Sequence, residues 1–170
     1  MALRTLKPKK IDPSFINEVK AAGGKNIGAC FQCGTCVSSC PAGLVTTYKI
    51  RKILRKTSLG LKDDVLKSED IWKCTTCLAC YDRCPRGVEP VEVILAIRNI
   101  AVRHGYFPEK LKSNLRNIIN AGQLVTLTDD ISGFRVELGL SENSPHMKSS
   151  KALDEVNKIL EITGIEGLEV

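Results

Sequence analysis

A single cysteine phrase, written twice, constrains this chain more than anything else in it. Cys30-x-x-Cys33-x-x-Cys36-x-x-x-Cys40-Pro41 returns as Cys74-x-x-Cys77-x-x-Cys80-x-x-x-Cys84-Pro85, and the two copies use all eight cysteines. Thiolates at this spacing, with proline after the fourth, hold a pair of [4Fe–4S] clusters, and the fourth cysteine of each phrase ligates the other cluster. The phrases therefore predict one cluster on Cys30, Cys33, Cys36 and Cys84, and a second on Cys74, Cys77, Cys80 and Cys40. Any fold the chain adopts has to bring the two phrases together.

The spacing suits a cubane for a physical reason. Three thiolates two residues apart converge from a turn-like loop, and small residues such as Gly34, Thr35, Thr75, Thr76 and Ala79 let the backbone come close. Backbone N–H groups in such a wrap point at the sulfurs and tune the potential. If Cys36–Cys40 and Cys80–Cys84 lie on short helical turns, each pair has Cβ atoms about 5–6 Å apart and touches both clusters. Pro41 and Pro85 cannot continue those turns.

Other uses of eight cysteines fit less well. Four disulfides belong to secreted chains, and the opening Met1-Ala-Leu-Arg-Thr-Leu-Lys7 lacks the apolar stretch of a signal peptide. Paired Cys-x-x-Cys elements can bind zinc, which makes a zinc-binding interaction module the non-redox alternative. Zinc sites seldom phrase four cysteines regularly before a proline, let alone twice.

With 170 residues the chain suits one domain with extensions and a modest core. Its formal charge of +6 overstates the basicity: each oxidised cluster with its four thiolates contributes about −2, leaving about +2. That undercuts a nucleic-acid role, and four phenylalanines, three tyrosines and one tryptophan offer little surface for base stacking. No apolar run approaches the roughly 20 residues of a membrane span. The expected setting is the reducing cytoplasm of an anaerobic cell.

Periodicity around the motifs is helical. Asp12-Pro13 reads as a helix start, with Phe15, Ile16 and Val19 on one face and Gly23-Gly24 as a stop. Between the motifs, Leu44, Tyr48, Ile50, Ile53 and Leu54 form an apolar stripe, while Lys49, Arg51, Lys52, Arg55 and Lys56 face away as a solvated or partner-docking surface. A short helix is expected over 61–67. Val91, Ile94, Leu95, Ile97 and Val102 make a longer one from Pro90 to Gly105, and Leu111, Leu115, Ile118 and Ile119 another ending near Gly122. Further on, Phe134, Val136, Leu138 and Leu140 alternate with Arg135, Glu137 and Gly139, which predicts an extended docking segment. Leu153, Val156, Ile159 and Leu160 mark a last helix over 152–163, placed to pack on a neighbouring subunit. The fold class is thus mainly α: an N-terminal arm over 1–12, an α-helical ferredoxin domain over 13–122 wrapping both clusters, and a helical and extended extension over 123–170.

Cysteine fills every presumed ligand position, so no iron is left open for a substrate, and no catalytic residue is predicted. His104 and His146 lie far from the motifs in sequence, and no Gly-x-Gly-x-x-Gly or phosphate loop points to a flavin or nicotinamide. The chain's role is then to position two clusters and set their potentials. Lys73, Arg83 and Arg86 surround the second phrase, whereas residues 30–40 carry no charge. Nearby cations favour the reduced cluster, so the second is expected to have the higher potential.

With these features in place, the chain resembles the C subunits of soluble heterodisulfide reductases from methanogenic archaea. The likeness runs through Ile11-Asp-Pro-Ser-Phe15, Cys30-Phe-Gln-Cys-Gly-Thr-Cys36, Cys74-Thr-Thr-Cys77 and Cys84-Pro-Arg-Gly87, then Ala96-Ile-Arg-Asn-Ile-Ala101 and Ala152-Leu-Asp-Glu-Val156. All eight of that family's cluster ligands match cysteines here. The resemblance implies a complex in which an A subunit holds flavin, and a B subunit reduces the mixed disulfide of coenzymes M and B. The C subunit would pass electrons from A to B, in assemblies that can include hydrogenase or formate dehydrogenase modules. A C-type subunit of a sulfur-oxidation or lactate/glycolate oxidoreductase would use the same wire with other partners. The iron–sulfur subunit of a succinate or fumarate oxidoreductase would need a further [2Fe–2S] cysteine set that is missing.

Overall fold

Asp12 sets the first helix in place: its carboxylate accepts hydrogen bonds from both the hydroxyl and the backbone N–H of Ser14. Helix α1 (Phe15–Ala21) follows and buries Phe15 and Val19. In the computed structural model, which describes residues 10–125, 127–144 and 149–165, every regular element among the described residues is helical. Most of the expected N-terminal arm (1–9) and His146 lie outside the described residues. The chain forms two units, Met1–Tyr106 and Phe107–Val170.

In the first unit the cysteine phrases alternate with helices. After α1 come α2 (Thr35–Ser38), α3 (Pro41–Val45), α4 (Ile50–Ser58), α5 (Lys62–Leu66), a 3₁₀ turn (Glu69–Lys73), α6 (Ala79–Asp82) and α7 (Pro90–Arg103). Helix α7 is the hub, packed by α1, α4, α5, α6 and the 3₁₀ turn. That position demands apolar residues on nearly every side, and Val91, Val93, Ile94, Ala96, Ile97, Ile100 and Ala101 are all buried. Each larger member contributes about 1.5–3 kcal/mol through burial. The chain passes so closely between α1 and α7 at Gly24 that an added Cβ would meet Val19 Cγ1 at 2.8 Å and Val93 Cα at 3.3 Å.

Tyr48, Ile50, Ile53 and Leu54 are buried as the periodicity implies, but Leu44 is 79% exposed. Pro41 does not merely end a turn. It opens α3 at the first position, and the extended residues Thr46 and Lys49 separate α3 from α4. The helical phase is therefore reset between them, and Leu44 does not share the α4 stripe.

The second unit contains α8 (Glu109–Ala121), α9 (Asp129–Glu137) and α10 (Ser150–Thr163). The alternating segment at 134–140, expected to be extended, is instead the end of α9. Thr128 is extended at its N-cap, and Asp129 and Asp130 occupy the first turn, where acids favour the helix dipole. The helix closes as Gly139 N–H donates to Val136 O and Leu140 N–H to Arg135 O. Among the described residues no strand is present to satisfy an extended segment's backbone, whereas a helix satisfies its own. Phe134, Val136, Leu138 and Leu140 all remain exposed.

Candidate cluster sites

The two cysteine phrases fold into one loop shape, built twice. After Cys30 the backbone turns left-handed at Gln32 (φ 66°) and Gly34 (φ 92°); after Cys74 the same positions are Thr76 (φ 53°) and Leu78 (φ 65°). A left-handed residue other than glycine costs about 1–2 kcal/mol, so Gln32, Thr76 and Leu78 store strain beside the cysteines. Such a wrap presents successive N–H groups to one side, where an anion sits. At Cys33 the Thr35 hydroxyl, 3.4 Å from the sulfur, and the N–H groups of Thr35, Cys33 and Gly34 hold the thiol below its usual range.

Each loop then enters a single helical turn, α2 carrying Cys36 and α6 carrying Cys80. The parallel continues at the fourth cysteines: Cys40 N–H donates to Val37 O and Cys84 N–H to Tyr81 O, both at 3.3 Å. Helix α2 packs on α6, so the phrases meet. One cavity is lined by Cys30, Cys33, Cys36 and Cys84, and another by Cys40, Cys74, Cys77 and Cys80. All eight cysteines are thereby brought together as two sets of four, and each set takes one member from the opposite phrase. None is in a disulfide.

Burial is graded across the pair of cavities. Cys33 and Cys77 are exposed, whereas Cys36 and Cys80 are each 8% exposed. Burial pushes the Cys36 thiol up to about 11, and thiolate charge on Cys30 and Cys33 adds to it. Cys80 is likewise pushed up to about 11 by burial, then by the charges of Cys74 and of Cys36 from the other set. The buried cysteines thus mark where the cavities adjoin. Among the described residues no three His, Cys, Asp or Glu side chains close on one point as a lone ion requires. The thiols ring a space instead, which suits a four-iron cube better than a zinc ion about 2.3 Å from each sulfur.

The surroundings of the two cavities differ. Arg51 and Arg86 line the first. Its sulfurs are approached by Gln32 Nε2 (3.3 Å from Cys30), the Thr35 hydroxyl (3.4 Å from Cys33) and Val88 N–H (3.4 Å from Cys84). Besides its cysteines the second cavity is lined by Tyr48, Ile50, Thr75, Leu78 and Val91, none of them charged. The Tyr48 hydroxyl is buried there without a hydrogen-bond partner. Lys73, expected to act on the second cluster, is paired with Asp70 at 2.7 Å and bonds Thr47 at 3.2 Å. The cations therefore favour reduction at the first site rather than the second. The cluster at the first cavity is expected to reduce at the higher potential, by a margin that redox titration followed by EPR resolves as two steps. Coincident steps, or a lower first-site potential, would contradict it.

Sequence reasoning missed Arg98. From α7 it donates through Nε to Ile71 O at 2.8 Å and through Nη2 to Cys74 O at 2.6 Å, with its guanidinium 5.6 Å over the Trp72 ring. It ties the backbone at Cys74 to the hub helix. The available signal was a lone arginine inside the apolar run 91–102. Arg98→Met is expected to cost about 2 kcal/mol, since each charge-assisted hydrogen bond is worth about 1.5–3 kcal/mol before solvent screening. Thermal melting and faster chelation of the second-site iron would register it. His104 contacts Glu18 Oε1 at 3.8 Å and lines neither cavity. Lys49 and the basic side chains of α4, Arg51, Lys52, Arg55 and Lys56, line a groove with Gln32 and Val37.

Two four-cysteine cages built from a repeated loop define a dicluster iron–sulfur protein, and a family model described as a 4Fe-4S dicluster domain matches residues 26–88. Its cofactors are two [4Fe–4S] clusters. The chain is 41% identical over 159 residues to the C subunit of the H2:CoB-CoM heterodisulfide,ferredoxin reductase of Methanothermobacter marburgensis, covering 93% of this chain and 86% of that one. It is 42% identical over 144 residues to the iron–sulfur C subunit of the CoB–CoM heterodisulfide reductase of Methanopyrus kandleri (84% and 75% covered). With the second such iron–sulfur C subunit of Methanocaldococcus jannaschii the identity is 42% over 167 residues (93% and 89% covered). The chain belongs to the family of heterodisulfide reductase C subunits and is an electron-transfer subunit of an oxidoreductase. Among the described residues no helix is long and apolar enough to cross a membrane.

Proposed function

We propose that this chain relays electrons from the A subunit of a heterodisulfide reductase to the B subunit, where the mixed disulfide of coenzymes M and B is reduced. In this reading Cys30, Cys33, Cys36 and Cys84 hold one cluster, and Cys74, Cys77, Cys80 and Cys40 hold the other. The observation that carries the relay is the order of exposure: Cys33 outside, Cys36 and Cys80 buried where the cavities adjoin, Cys77 outside. A path with two exposed ends and a buried middle suits entry at one end and exit at the other. When bound, the clusters supply one-electron redox chemistry.

The chain's own residues do the rest. Eight thiolates close the coordination and leave no position for a substrate. Leu54, Val88 and Pro90, all buried, line the first cavity, and the buried Ile50 and Val91 line the second, which gives the clusters apolar surroundings. Apolar residues left exposed on α9 and α10, including Phe134, Val136 and Ile162, supply docking surface for the partner subunits in the C-terminal extension 123–170. Larger assemblies with hydrogenase or formate dehydrogenase modules follow from the family resemblance.

Anaerobic affinity purification of the chain from its own cells, with mass spectrometry of whatever accompanies it, tests the assignment. The expected companions are A and B subunits, and reconstituted A should reduce B at least tenfold faster when this chain is present. Recovery with a sulfur-oxidation or lactate/glycolate oxidoreductase instead would replace the proposed partners while leaving the wire in place.

A further inference from the structure

Tyr48 sits between α3 and α4 with 0% of its surface exposed, and its hydroxyl is a buried polar atom with no hydrogen-bond partner. A buried hydroxyl left unsatisfied costs about 1–3 kcal/mol. Phenylalanine would fill the same space without that penalty. The ring cannot easily turn the hydroxyl away, because its backbone is pinned on both sides. Tyr48 N–H donates to Thr46 Oγ1 at 3.1 Å, and Gly43 lies so close that an added Cβ would stand 3.1 Å from Tyr48 O.

The second cavity is where this side chain points its chemistry. Tyr48 lines it together with Cys40, Cys74, Cys77 and Cys80. A phenol is neutral over the ordinary pH range, and its O–H can serve as a donor. Anionic sulfur is the acceptor chemistry within reach, and the cavity brings no charged side chain to compete.

We propose that Tyr48 donates a hydrogen bond to sulfur at the second site, either the Cys74 thiolate or an inorganic sulfide of the bound cluster, and thereby raises that cluster's potential. The inference rests on the ligand assignment proposed above. A neutral donor to anionic sulfur favours the reduced, more negative state. The bond also satisfies the orphaned hydroxyl, so the aromatic residue and the cluster stabilise each other.

Tyr48→Phe in the intact, cluster-loaded chain is the test. Iron and sulfide should remain at the wild-type level, and one reduction step should fall about tenfold in equilibrium constant, which is 59 mV for one electron. The step that moves should belong to the centre whose spectrum Cys77→Ser perturbs, and the other should stay in place. Full loading with both potentials unmoved, or a shift confined to the other centre, overturns the hydrogen bond alone. Wild-type protein lacking iron and sulfide would overturn the cluster assignment beneath it. Should Tyr48→Phe load poorly, 3-fluorotyrosine installed at position 48 alone keeps the shape and strengthens the donor. A raised second-site potential then supports the bond, and an unchanged one refutes it.

Discussion

Cys84→Ala should damage the cluster bound by the first cysteine phrase and spare the one bound by the phrase in which Cys84 itself lies. The reason is geometric: Cys84 lines the cavity of Cys30, Cys33 and Cys36, and its sulfur receives Val88 N–H at 3.4 Å there. Iron is expected to drop from about eight per chain towards about four. The decisive comparison is spectral. The component lost in Cys84→Ala should be the one lost in Cys33→Ala, and Cys40→Ala should match Cys77→Ala. If Cys84→Ala and Cys77→Ala removed the same component, each phrase would close its own cluster, and the exchange of ligands would be wrong.

Removing both clusters is expected to unfold most of the region between the two phrases. Helices α2 and α6 have four residues each, and α3 and α5 five each. Isolated helices shorter than about 12–15 residues are marginal in water, so these turns depend on what they wrap. The left-handed backbone at Gln32, Thr76 and Leu78 opposes them further. Where a site does not exist in the unfolded chain, the free energy of binding becomes free energy of folding. The expected loss is about 5 kcal/mol or more, comparable with the whole stability of a small domain. Anaerobic chelation should therefore abolish the cooperative melt and strip hydrogen-exchange protection first from residues 26–88, with α7 the last to open. Apo-protein melting at the holo temperature with protection intact would refute this.

How far the chain could be read in advance differed by element. Helices beside the motifs announced themselves because burial on one side imposes a 3.6-residue period, as Ile50, Ile53 and Leu54 show. The segment 134–140 misled because its alternation is also what an exposed helix produces when no face is selected for burial. The better signals there were local: Thr128, Asp129 and Asp130 at the start, and Gly139 at the end. The cations misled because neighbours in sequence are not neighbours in space. Arg86 follows Cys84 to the first cavity, and Lys73 is drawn to Asp70.

Spacing alone determined the chemistry: eight thiols in two regular phrases imply two iron–sulfur cubes, since ligand identity and interval are local properties of the chain. The electrostatic setting was decided only by the fold. Which arginines face which cavity, which thiols are buried, and that Tyr48 lines the second site all depend on packing α2 on α6 and α6 on α7. Those contacts join residues dozens of positions apart, and no local pattern records them.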